Sequence, residues 1–139
     1  MKKLIFYFAL LASFCSCSKD ETSNQDQIIG KWYLVIDHSI TRYPDGKILT
    51  DTTIYNSEEY LDIRKDGKVI SKFYYQTLKD YIFDTFPYHI IQNNIVFDSD
   101  TFEINKLNQT ELELHHHNQL ITPDFPQDGE VESWITCKR

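Results

Sequence analysis

The stretch Glu59-Tyr60-Leu61-Asp62-Ile63-Arg64-Lys65-Asp66-Gly67-Lys68-Val69-Ile70-Ser71-Lys72-Phe73-Tyr74-Tyr75-Gln76 decides the fold. Residues 59–64 read as a strand with Leu61 and Ile63 on one face. Val69, Ser71, Phe73 and Tyr75 then alternate against Ile70, Lys72, Tyr74 and Gln76. Between them, Lys65-Asp66-Gly67-Lys68 is the clearest hairpin signal in the chain, because Asp-Gly suits the positive dihedrals of a tight turn. Two alternating runs joined this way predict an antiparallel pair.

The same pattern extends in both directions. Upstream, Gly30-Lys31-Trp32-Tyr33-Leu34-Val35-Ile36 predicts a strand with Trp32, Leu34 and Ile36 on one face. Tyr43-Pro44-Asp45-Gly46-Lys47 is a turn. Residues 48–55 form a Thr-rich, weakly apolar strand. Downstream, 77–86 stays ambiguous, since Leu78, Tyr81 and Ile82 fit a helical turn or the start of a strand, and Pro87 argues against a helix across that junction. Strands follow at 88–91, 95–97, 102–107, 111–114 and 131–138, with turns at 92–94 and 98–100. Residues 118–129, with Pro123, Pro126 and Gly129, read as the longest loop. The sum is about eight to ten short strands with short connections. The fold expected is all-β, an antiparallel up-and-down meander. Closing it into a barrel removes exposed edges and leaves room for one small ligand.

The head of the chain has a different character. Lys2 and Lys3 precede an apolar run from Leu4 to Phe14. That run is shorter than the ~20 residues a membrane-spanning helix needs, so 1–16 reads as a signal peptide. Residues 18–27 contain no apolar side chain and read as a flexible tether. Composition then separates. The 139 residues carry a net charge of −7, and residues 1–16 hold two lysines and no acid, so the remainder carries −9. An acidic chain is repelled by phosphate backbones, and nucleic acid is not an expected partner. Of three cysteines, Cys15 leaves with the leader, and Cys137 has only Cys17 as a companion.

Two resemblances sharpen this. Ser16-Cys17 at the end of the apolar run resembles a bacterial lipoprotein signal, which implies that Cys17 is lipid-modified and begins the mature chain. Phe14 departs from the usual Leu or Val there, as Bacteroidetes-type lipoproteins tolerate. Lys19-Asp20-Glu21 looks like the surface-export signal of those organisms, with a solvated linker as its plain alternative. With Cys17 committed to lipid (palmitate among its acyl chains), Cys137 is left as one free thiol. Residues 28–139 resemble the lipocalin-like domain of the same lipoproteins, on Ile29-Gly30-Lys31-Trp32, on Leu61-Asp62-Ile63-Arg64-Lys65-Asp66-Gly67-Lys68, on Tyr88-His89-Ile90-Ile91 and on 107–114. The resemblance implies that Gly30 and Trp32 pack the closed end of a barrel. Arg139 could stand in for the basic residue which that family stacks on the Trp, though a chain-end Arg is more often simply exposed. The family's helix after the barrel has no counterpart before Arg139.

Chemistry-bearing patterns are few. His115-His116-His117 suggests a metal, with His115 and His117 on one face and His116 with Leu112 and Leu114, but a third ligand is missing. The plain alternative is a polar outer face continued from Glu111 and Glu113. Asp98, Asp100 and Glu103 lack the glycine and downstream Glu of a calcium loop. Glu58, Glu59 and Asp62 do not pair on one face as glycoside hydrolysis requires. No Gly-x-Ser-x-Gly elbow or phosphate-binding glycine loop occurs. Cys137 shares a face with Ile135 and reads as a small buried hydrophobe. The expectation is therefore non-catalytic, without cofactor. It is a lipoprotein of the bacterial outer membrane, facing the cell surface if the export signal acts, which binds a small apolar or amphipathic ligand. The alternative is a structural subunit of a surface assembly with a packed barrel and a protein partner.

Overall fold

Asp66 and Gly67 form the turn their sequence demands. Gly67 adopts φ +78°, a region a side chain would strain. The Arg64 N–H donates to the Lys68 carbonyl at 2.8 Å, and the Asp66 carboxylate accepts the Lys68 N–H at 3.2 Å. The computed structural model describes residues 22–122 and 125–139. From this hairpin the chain reads outward as α1 (Thr22–Ile28), β1 (Gly30–Arg42), β2 (Ile48–Ile54), β3 (Tyr60–Ile63), β4 (Lys68–Tyr75), β5 (Asp80–Ile91), β6 (Asn94–Phe97), β7 (Asp100–Leu107), β8 (Glu111–Thr122) and β9 (Phe125–Lys138).

All pairings are antiparallel, in the order β2-β1-β3-β4-β5-β6-β7-β8-β9, and β1 also pairs with β9. That last pairing closes an eight-stranded barrel. The expected meander is thus the observed fold. β2 sits apart from the ring. The early part of β1, Gly30 to Tyr33, pairs with β3, whereas Ile36 to Arg42 pairs with β2 along the same edge. β2 is exposed along its whole length, which matches its weak hydrophobicity.

Four readings change. Residues 77–86 resolve into a turn followed by strand β5, which runs through Pro87. Of the expected loop 118–129, the described residues 118–122 and 125–129 are strand. The β8–β9 ladder continues from Asn118↔Val131 to Thr122↔Phe125, with a register shift between Leu120 and Thr122 absorbing the irregularity. The Pro126 and Gly129 signals lose there to the reach of a long hairpin. Residues 22–27, expected in the tether, form α1, whose last residue Ile28 is fully buried and fixes the turn of helix to the barrel. Cys17, the leader and the first part of the tether lie outside the described residues.

The fourth change concerns β1. Trp32 and Leu34 point inward, but Ile36 does not join them. The register against β9 runs Leu34↔Cys137 and then Ile36↔Thr136, so Val35 is an extra residue. One inserted residue reverses the two-residue alternation. Ile36 turns outward, and Asp37 turns inward opposite Ile135.

The core fills one end of the barrel. Ile28, Trp32, Val69, Ile95, Leu112, Leu114 and Cys137 have no exposed surface. Each such large side chain contributes roughly 1.5–3 kcal/mol by burial. Burial alone pushes the Cys137 thiol up to about 12, so it stays protonated at neutral pH and behaves as the hydrophobe its position suggested. Trp32 Nε1–H donates to the Ile28 carbonyl at 2.7 Å. The Arg139 guanidinium lies 4.0 Å from the centre of the Trp32 ring and donates to the Gln27 and Ile29 carbonyls at 2.8 and 2.6 Å. Arg139 thus occupies the stacking position on Trp32. Gly30 makes room for it: at φ +132°, an added Cβ would stand 3.2 Å from Arg139 Nη2. Gly30→Ala should therefore cost about 2 kcal/mol of stability, read as a lower urea midpoint at unchanged slope. Among the described residues, no helix is long and apolar enough to cross a membrane.

Candidate functional site

The end of the barrel away from Trp32 is open and incompletely filled. A cavity of about 260 Å³ lies there. β1 contributes Leu34, β3 Leu61, β4 Phe73, β5 Phe86, β6 Phe97, β7 Phe102, β8 Leu114 and β9 Ile135. Tyr55, just after β2, completes the wall, with Asp98 of the β6–β7 turn and Asp100 at the start of β7. Every one of the eight ring strands supplies a residue, so the cavity is a property of the closed barrel and not of one loop.

Aromatic rings line one side continuously. Phe86 meets Phe97 edge to face at 5.7 Å, Phe97 meets Phe102 at 5.3 Å, and Phe102 stacks on His116 at 4.7 Å. Tyr55 and Phe73 face each other at 6.3 Å on the opposite side. Such pairs hold their rings in fixed orientations beyond simple area burial. The resulting wall is apolar and pre-formed, as small-molecule sites are.

The polar groups gather at the rim. Asp37 enters the interior through the β1 bulge. Its Oδ1 is buried without a hydrogen-bond partner. Burial, and then the neighbouring Asp51, raise its carboxyl above its ordinary value, against a smaller pull from His38 and His116. The Tyr55 hydroxyl is pushed up to about 12, first by burial and then by Asp37 and Glu59, and stays neutral. A raised carboxyl contributes stability at low pH that is lost as pH rises through its folded value. Asp37→Asn should therefore make the fold more stable than the parent at pH 7, and the difference should close below the ordinary value of 3.8. Thermal melts across pH 3–8 test this; a constant offset at all pH values would mean the carboxylate charge is not the cause.

The sequence-derived candidates sort differently. Gly30 and Trp32 sit together in the core and are not among the residues that line the cavity. His115 and His117 lie on the outer face of β8, as alternation requires, with His116 inward. His115 stacks on Trp134 at 5.0 Å and approaches Glu103 and Glu132 at 3.7 and 3.9 Å. Among the described residues, no group of three His, Cys, Asp or Glu is placed to hold a metal ion. The histidine pair is part of an outward polar and aromatic surface. Glu58 pairs with Lys72 at 2.8 Å, while Glu59 is buried, so these acids serve separate structural contacts. Asn108 makes a turn, its Oδ1 accepting the Thr110 and Glu111 N–H groups at 2.9 Å. Asp37 was invisible to pattern reading because the bulge hides it. Asp98 and Asp100 were weighed in the sequence as calcium ligands and as turn residues, and neither reading placed them at a cavity.

No family model matches the chain, and no curated protein matches its sequence. Among solved structures it is similar to Per a 4, a major allergen from cockroaches, with a TM-score of 0.49 and 17% identity. The similarity covers 81% of this chain and 66% of the allergen chain. At that identity the likeness says nothing of ligand or activity.

Proposed function

We propose that this chain is a non-catalytic binding protein that takes a small apolar or amphipathic ligand into the open end of its barrel. The cavity of about 260 Å³, walled by all eight ring strands, carries the reading. A packed structural barrel would have filled that space, since interiors otherwise approach crystal density. In liquid-volume terms it holds roughly nine waters, which suits a compact molecule better than a long acyl chain. The lipoprotein signal at Cys17 supports a location at the outer membrane, with the lipid as the membrane contact.

The test is native mass spectrometry of protein purified from its host, with Ile135→Trp alongside. Ile135 is half-buried and lines the cavity, so an indole there should occupy the space with a cost of about 1–3 kcal/mol. Binding of a fluorescent apolar probe should fall at least about tenfold, a loss of ~1.4 kcal/mol. Equal probe binding in both proteins, with no co-purifying ligand, would remove the reading.

A second reading, a subunit of a surface assembly, draws support from β2. It is outermost in the strand order, and Ile48, Leu49 and Ile54 on it are 62%, 44% and 79% exposed. Unpaired strand edges attract other chains. Crosslinking in intact cells separates the two readings, because only this one requires a specific protein partner.

A further inference from the structure

The barrel wall has a slot in it. β3 is four residues long and β4 eight, and their ladder ends at Tyr60↔Lys72. From Ile36 onward β1 pairs with β2 instead of β3, and β2 forms no pairing with β4. Among the described residues, no strand pairs with Phe73, Tyr74 and Tyr75 on that side. The Tyr74 N–H donates instead to Glu59 Oε1 at 2.8 Å. A side chain thus replaces the missing strand, and the slot carries no orphaned donor there.

A second cavity, of about 450 Å³, occupies this slot. Its banks differ from the phenylalanine wall inside. β2 and the segment after it supply Thr53 and Asn56, and the turn after β4 supplies Gln76. The Asn56 Oδ1 accepts the Glu58 N–H at 2.9 Å and the Tyr81 hydroxyl at 3.3 Å, which leaves the NH₂ group as the donor this side chain can offer. Tyr55 and Phe73 line both cavities. An apolar chamber and a polar one therefore share a wall made of these two rings, 6.3 Å apart. No Lys, Arg or His is among the described residues that line either cavity. A carboxylate head would be desolvated there without a counter-charge, whereas a hydroxyl needs only hydrogen-bond partners.

We propose that the slot between β2 and β4 is a head-group site, and that the barrel takes a compact amphipathic alcohol. Its apolar body lies in the inner cavity, and its hydroxyl reaches past the Tyr55 ring to the amides of Asn56 and Gln76 and the hydroxyl of Thr53. This rests on the reading of the inner cavity as a ligand site and gives that ligand its chemical class. The binding step is non-covalent and needs no co-reactant.

Propylbenzene, 3-phenylpropan-1-ol and 3-phenylpropionate share one carbon skeleton and differ in the head. Displacement of a fluorescent apolar probe at pH 7 measures all three. The alcohol should bind about tenfold or more tightly than the carboxylate. Gln76→Trp, at an exposed position, fills the slot. It should weaken the alcohol about fivefold, as expected of one lost hydrogen bond, and leave propylbenzene within about twofold. Thr53→Val with Gln76→Leu removes polar groups without adding bulk and should give the same split. Ile135→Trp should weaken alcohol and hydrocarbon alike. A carboxylate bound as tightly as the alcohol overturns the neutral head. An alcohol affinity untouched by both slot variants, or a fall in propylbenzene affinity equal to that of the alcohol, overturns the head-group site and leaves the cavity reading standing. No displacement by any of the three, with Ile135→Trp binding the fluorescent probe as the parent does, takes down the cavity reading itself.

Discussion

Trp32→Ala should lower the free energy of unfolding by about 3–5 kcal/mol, the usual range for losing a fully buried Trp. Three contacts vanish with the indole. Its surface is wholly buried among Ile28, Val69, Ile95 and Leu112. Its Nε1–H leaves the Ile28 carbonyl it meets at 2.7 Å. Its face no longer supports the Arg139 guanidinium at 4.0 Å. Trp32→Phe keeps most of the area and removes the hydrogen bond, so it should cost about 1–2 kcal/mol beyond the modest loss of area. Urea unfolding followed by far-UV circular dichroism measures both. A loss under about 1 kcal/mol for Trp32→Ala would show that the closed end is not where the stability lies.

Glu59→Ala is expected to be nearly as severe, at about 3 kcal/mol. Glu59 is only 7% exposed, in the segment that crosses from β2 to β3. Its two carboxylate oxygens accept different backbone donors, Asn56 N–H at 2.8 Å and Tyr74 N–H at 2.8 Å. Its own carbonyl accepts Leu34 N–H at 2.9 Å. One side chain therefore fastens the crossing segment to β4 while its backbone fastens it to β1. Alanine leaves two partly buried donors without partners. Glu59→Gln retains one acceptor and turns an NH₂ toward the other donor, so it should recover about half of the loss. If alanine and glutamine cost the same small amount, water satisfies those donors and the latch is unimportant. Backbone hydrogen exchange at Asn56 and Tyr74 would report the site directly, as faster exchange in both variants.

The barrel was legible because most of its strands obey a two-residue period and its turns use residues with strong dihedral preferences. Lys65-Asp66-Gly67-Lys68 and the Leu61/Ile63 alternation required no tertiary information. Trp32 and Gly30 were placed at the closed end by resemblance, and the geometry there supplies the reason: a stacked Arg139 that needs a glycine beside it. The cavity was less legible. The inward acid Asp37 depends on Val35, an extra residue that nothing in the composition of β1 announces, and which exchanges Ile36 for Asp37 on the inner face. Its aromatic wall depends on β5 starting at Asp80, which the mixed pattern of 77–86 left undecided. Where register decides which side chains point inward, a single-residue slip outweighs any local propensity. The long β8–β9 hairpin was obscured for the opposite reason, since local proline and glycine signals were overridden by pairing with a partner strand.

The helix that ends in Ile28 carries a geometric consequence. Four residues, 18–21, lie between Cys17 and Thr22, and the five steps from one to the other span no more than ~18 Å even when fully extended. Because Ile28 is buried at the Trp32 end, a lipid on Cys17 would draw that end toward the bilayer. The opposite end, with Phe102, Asp37 and Asp100, would then point into the surrounding fluid. So anchored, the molecule would hang bottom-first from a membrane, with its mouth turned to whatever diffuses past.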